Sequence, residues 1–101
     1  MEFNVYNSVG KKTVLTITNV RLDIGSARLN AEYMGMELKD KLICYGGGHN
    51  RPFLRFENSD RKFVDVEFTD EIIEYLWKEI GCPKDSLLYC FTKDYKNNWC
   101  D

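Results

Sequence analysis

The sequence predicts an α+β fold: a twisted, mostly antiparallel sheet of about five to seven strands, with one amphipathic helix (residues 70–80) packed on one face. Three observations predict it. Short runs rich in β-branched and aromatic residues recur along the chain, separated by Gly25-Ser26, Gly35 and "NSDR" at 58–61. One segment carries a helical period, with Ile72, Ile73, Leu76, Trp77 and Ile80 on a single stripe. No repeat, low-complexity tract or Pro/Ser linker divides the 101 residues, so the chain reads as a single domain, 1–101.

The first run, "EFNVYN" (2–7), is a short strand broken by Gly10 and a lysine pair. "TVLTITNVRLDI" (13–24) is strand-like, but its alternation slips: Leu15 and Ile17 face one side, while Val20, Leu22 and Ile24 have the opposite parity. A bulge near Asn19 reconciles them, because one extra residue flips the face. After a turn at Gly25-Ser26, "SARLNAEYM" alternates with Ala27, Leu29, Ala31 and Tyr33 inward. Gly35 turns the chain into "MELKDKLICY", where Met36, Leu38, Leu42 and Cys44 share parity. Lys39, Asp40 and Lys41 there suit an exposed edge, where charge discourages strand pairing.

"FLRFE" and "KFVDVEF" flank "NSDR" and read as a further hairpin. Thr69 caps the helix, Asp70 and Glu71 sit in its positive first turn, and Gly81 and Pro83 end it. "SLLYCFT" (86–92) reads as another strand rather than a helix. A single helix cannot cover both faces of such a sheet, so the other face is solvated, curled on itself or covered by a partner.

The composition is globular: 44% hydrophobic, 14% aromatic and 30% charged residues. A formal charge of −2 does not suit a general nucleic-acid binder, so direct nucleic-acid binding is not expected. The charge is uneven. From Glu57 to Glu79 eight acids face three bases, a local −5. The start "MEFNVYNSVGKK" has no basic region leading into an apolar run, and no apolar stretch approaches the roughly 20 residues of a membrane helix. The expected location is cytoplasmic, with no membrane association and with Cys44, Cys82, Cys90 and Cys100 as thiols.

The stretch "CYGGGHNRPF" (44–53) is the least ordinary. Gly46, Gly47 and Gly48 offer flexible backbone N–H groups, with His49 and Arg51 beside them as groups that can meet an anion. The loop matches neither a P-loop nor a dinucleotide fingerprint. Pro52 and the strand after it leave no helix N-terminus to point at a phosphate. The simpler reading is a wide connector whose glycines supply positive φ. Cys44 and His49 are five residues apart and can form a Cys/His pair, yet the parity of Cys44 turns it into the core. The cysteine spacings do not fit zinc, and no metal or other cofactor is expected.

Two further groups suit a partner surface. Asp65 and Glu67 share a strand face and lead into Asp70, Glu71 and Glu74. Among the aromatic residues, Tyr45 and Phe53 bracket the glycine loop, while Tyr95 and Trp99 lie in a polar tail, an exposed-looking set of the kind interfaces concentrate.

By elimination the expected function is that of a small binding protein without a catalytic residue, acting on another macromolecule, a protein above all, through its surface. The first alternative is a nucleotide or other small-anion binder, or sponge, using Gly46–Arg51. The second is a Cys/His enzyme. An exposed sheet edge also allows a homodimer. In size, and in the motifs it lacks, the chain is similar in kind to phage-encoded inhibitors of host defence and to bacterial immunity proteins. That resemblance implies an inhibitor and rests on no specific residue.

Overall fold

The computed structural model describes residues 1–6 and 10–99, with side chains through Lys93. The elements in order are β1 (Glu2–Tyr6), β2 (Lys12–Asp23), β3 (Ser26–Tyr33), β4 (Met36–Leu42), β5 (Phe53–Glu57), β6 (Phe63–Glu67), α1 (Asp70–Ile80) and α2 (Leu87–Trp99). The fold class is α+β. Strands β1 to β4 form an antiparallel sheet in chain order, and β5–β6 form a separate antiparallel hairpin.

The expected single sheet is therefore two, and the expected single helix is two. A β-bridge links the two sheets, in which Cys44 and Phe53 exchange backbone hydrogen bonds of 2.9 and 3.0 Å. Pairing between β3 and β4 shifts register between Leu29 and Ala31, and Asp40 opposite lies at φ 52°. Bulges bend and twist a strand, and this one lies just before the hairpin departs from the sheet.

The bulge also changes the facing of β4. Met36 and Leu38 pack against the core as alternation predicts, but beyond Asp40 it is Ile43 that turns inward. Leu42 and Cys44, expected inside with Leu38, are exposed and half-buried respectively. In β2 the expected bulge is present: the register shifts between Thr18 and Arg21, with Asn19 at φ 52°. Val20 packs on the core, but Leu22 and Ile24, expected to face with it, are exposed.

Ala27, Leu29, Ala31 and Tyr33 of β3 are all buried, as their alternation predicts. The β2–β3 turn lies one residue earlier than expected. Asp23 pairs with Ser26, and Ile24 and Gly25 between them have φ of 46° and 78°. A two-residue hairpin of type I′ needs positive φ at both central positions, which places glycine second rather than first.

Helix α1 keeps its predicted bounds. Thr69 accepts from the Ile72 backbone N–H at 3.3 Å, and Gly81 at φ 68° donates to the Trp77 carbonyl. Its buried stripe, Ile72, Ile73 and Leu76, lies against β2. Helix α2 replaces the strand expected at 86–92. Ser86 caps it, accepting from the Tyr89 N–H at 3.2 Å, and Leu88 and Thr92, one turn apart, are buried. Thr92 also accepts from Trp77 Nε1 at 2.7 Å, tying α2 to α1. One continuous core, including Val5, Leu15, Leu29, Phe56, Phe68, Leu76 and Leu88, joins both sheets to both helices.

Candidate functional site

The glycine loop and the acids of β6 and α1, separate features in the sequence, form one cluster. Gly46, Gly47 and Gly48 all have positive φ (84°, 65° and 87°), and the His49 N–H bonds back to the Gly46 carbonyl at 3.1 Å. The reversal lays the loop over the outer side of β5. A Cβ added to Gly47 would stand 3.9 Å from Phe53 Cζ, and the His49 ring lies 4.2 Å from the Phe53 ring centre at 34°. Phe53 is only 3% exposed. The exposure expected of this aromatic is thus corrected: the loop covers it.

Alternation on β6 sends Val66 inward and Asp65 and Glu67 outward, toward the loop. His49 Nε2 is 2.9 Å from Asp65 Oδ2, and His49 Nδ1 is 3.5 Å from Glu67 Oε2. Arg55 stands opposite Asp65 in the β5–β6 register and donates to it twice, from Nε at 2.7 Å and from Nη2 at 2.9 Å. Its guanidinium also lies over the Phe53 and Phe63 rings, at 5.5 and 5.4 Å. The Arg55 hydrogen bonds, helped by His49 and opposed by partial burial, lower the Asp65 pKa to about 2.

Arg51 pairs with Asp70 in the first turn of α1 and donates to the Phe68 carbonyl at 3.4 Å. Tyr6, Arg51, Glu67, Phe68, Thr69 and Asp70 line an open cleft of about 370 Å³ beside this pair. The positive end of α1 faces that cleft, but Thr69 caps it and Asp70 and Glu71 already supply negative charge. An incoming anion therefore meets carboxylates together with the cations. Glu74, further along α1, lies 3.6 Å from Lys78.

The Cys/His pair is not assembled. Both ring nitrogens of His49 face β6 carboxylates, while Cys44 is held in the bridge to Phe53. Cys44, Cys82 and Cys90 are free thiols, and burial pushes the Cys82 pKa up. Cys100 lies outside the described residues. Among the described residues, no group of three or more His, Cys, Asp or Glu side chains is placed to hold a metal.

Tyr45 stacks on Phe91 of α2 at 4.7 Å. Its hydroxyl is buried beside Ser26 without a hydrogen bond of good geometry, and burial raises its pKa. Trp99 falls within α2, but its side chain and that of Tyr95 lie outside the described ones.

Three apolar residues that the sequence reading placed in strands lie instead at the surface of a turn and a helix: Ile24, Leu87 and Phe91. Ile24 is 99% exposed at the tip of the β2–β3 turn, and Leu87 and Phe91 are exposed along α2. The signal was present in "LDIGS", where isoleucine stands in the turn position that asparagine or aspartate ordinarily fills. No family model matches the chain, and neither a curated protein nor a solved structure matches it.

Proposed function

We propose that this protein is a non-catalytic binder of another protein, and that it engages its partner through an apolar strip formed by Ile24, Leu87 and Phe91. The observation that carries the reading is Ile24. A β-branched residue at φ 46° is strained, and with 99% of its surface exposed it gains no burial within the chain. Its neighbour Gly25 accepts a hydrogen bond from the Leu87 N–H at 2.6 Å, which brings the turn to the first residue of α2. Leu87 and Phe91 are one helical turn apart, and Phe91 continues onto Tyr45. Contiguous exposed apolar groups mark protein contact sites more often than isolated ones do.

The acids expected at a partner surface contribute less in this reading. Asp65, Glu67, Asp70 and Glu74 already face His49, Arg55, Arg51 and Lys78. An anionic ligand at Gly46–Arg51 has to displace those same carboxylates. With a protein as partner, occlusion of that partner's surface is the mode of action we propose.

The test is capture of partners from lysate on the wild type, Ile24→Asn, Phe91→Ser and Arg51→Ala, each checked for folding by circular dichroism. A partner held through the strip is depleted at least tenfold on both strip variants, the loss expected of central interface residues worth about 2 kcal/mol or more. It persists on Arg51→Ala. Partners that survive both strip variants but vanish with Arg51→Ala would move the site to the glycine loop.

A further inference from the structure

Two backbone hydrogen bonds between Cys44 and Phe53 close the foot of the Gly46–Gly48 loop, and side chains hold down its tip. Its internal backbone tie is the His49-to-Gly46 hydrogen bond, and three consecutive residues lack side chains. The ties of the tip to the body include the His49 ring, stacked on Phe53 and set between two carboxylates of β6, and Arg51 on Asp70. A neutral imidazole has one N–H and one lone pair, whereas the imidazolium donates from both nitrogens. With Asp65 hydrogen-bonded at Nε2 and Glu67 3.5 Å from Nδ1, only the imidazolium attracts both carboxylates at once.

We propose that His49 is a proton-operated latch: the protonated ring ties the glycine loop to both Asp65 and Glu67, and loss of one proton releases the Glu67 tie and lets the loop lift from Phe53. The neutral ring keeps its N–H on Asp65 and turns a lone pair toward the Glu67 carboxylate, which converts an attraction into a repulsion. The neighbouring charges leave the imidazole as the switching group. Asp65, gripped by Arg55 from β5, stays ionised far below neutrality. Arg55 remains cationic, as arginine does throughout the working range. Arg51 is occupied by Asp70 from α1, and the Cys44 thiol lies at the foot of the loop near Arg55.

The sign follows. The closed loop is favoured by protonation of the ring, so it is tighter at low pH and looser at high pH. The consequence is local: Phe53 and the inner side of the loop become accessible without unfolding of β5. This latch is independent of the strip at Ile24 and stands or falls separately from the binding reading.

The test is millisecond amide exchange of Gly46–Asn50 by NMR on the full chain, corrected for the intrinsic pH dependence of exchange, at about pH 5.5 and about pH 8. The expected result is about a two- to fivefold fall in protection on going to the higher pH, the range for one ion pair at a partly exposed site. His49→Gln should show no such step. Glu67→Gln, a change at the surface that keeps the fold, should shrink the step, because its amide does not repel the lone pair of the neutral ring. Equal corrected protection at both pH values in the wild type overturns the proposal, as does a full-sized step in either variant.

Discussion

Replacing Ile24 by asparagine should stabilise the protein. An L-residue in the left-handed region costs roughly 1–2 kcal/mol, and a β-branched one is the least suited to it. Asparagine tolerates that region because its short side chain hydrogen-bonds the local backbone. Nothing offsets the cost of isoleucine in the folded chain, since its side chain is 99% exposed and no burial is lost on replacement. Gly25 supplies the second positive φ of the turn and is left in place. The net gain is therefore about 1 kcal/mol, which for a domain of this size raises Tm by roughly 4–8 °C. Calorimetry, with urea unfolding at unchanged m, measures it directly. Ile24→Val, which keeps both the branching and the strain, should stay near wild type. A fall of more than about 1 kcal/mol in Ile24→Asn would refute the reasoning, because losses of that size arise from lost packing rather than from an exposed turn tip. A stabilised variant that also loses its partner would show a residue kept for contact at the expense of stability.

Leu76→Ala, at a fully buried position in the α1 stripe, should cost about 2–5 kcal/mol, and near-wild-type unfolding would mean that α1 is not docked as described. Ser86→Ala should cost about 1 kcal/mol and lower the helical circular dichroism signal, since it removes the acceptor at the start of α2; an unchanged spectrum and stability would refute the cap. Asp65 has a folded pKa of about 2, below the roughly 3.9 of an unfolded aspartate, so its contribution is present above about pH 4 and is lost as pH falls toward 2. Asp65→Asn should therefore cost about 1–2 kcal/mol at pH 6, a value reduced for the solvent around Arg55, and the gap from wild type should close near pH 2. A gap that does not narrow on acidification would refute the pairing.

Much of this fold was legible one segment at a time. Helix α1 could be bounded from Thr69 to Gly81 because its caps and its apolar period lie within the residues that form it. The alternation of β3 and the slip near Asn19 were likewise readable, since side-chain parity along a strand is local geometry. The 86–92 segment was not: Leu87 to Phe91 offer apolar residues at both parities, and it is burial of Leu88 and Thr92 beside Trp77 that selects the helix. The inward turn of Ile43 likewise depends on a bulge set by pairing with β3, so parity read from Leu38 pointed Cys44 the wrong way.

The candidate site shows the same division. Its residue types could be named from the chain, namely the glycines, His49, Arg51 and the acids from Asp65 to Glu74. Their mutual neutralisation could not, because His49 and Asp65 are 16 residues apart and Arg51 and Asp70 are 19 apart. The caps and apolar period of α1 and the alternation of β3 rest on energies of a few adjacent residues, so the sequence determines them by itself. Which charge meets which, and which apolar side chains are left facing water, are decided only when the hairpin folds back on the sheet, because tertiary packing sets distances that sequence separation does not.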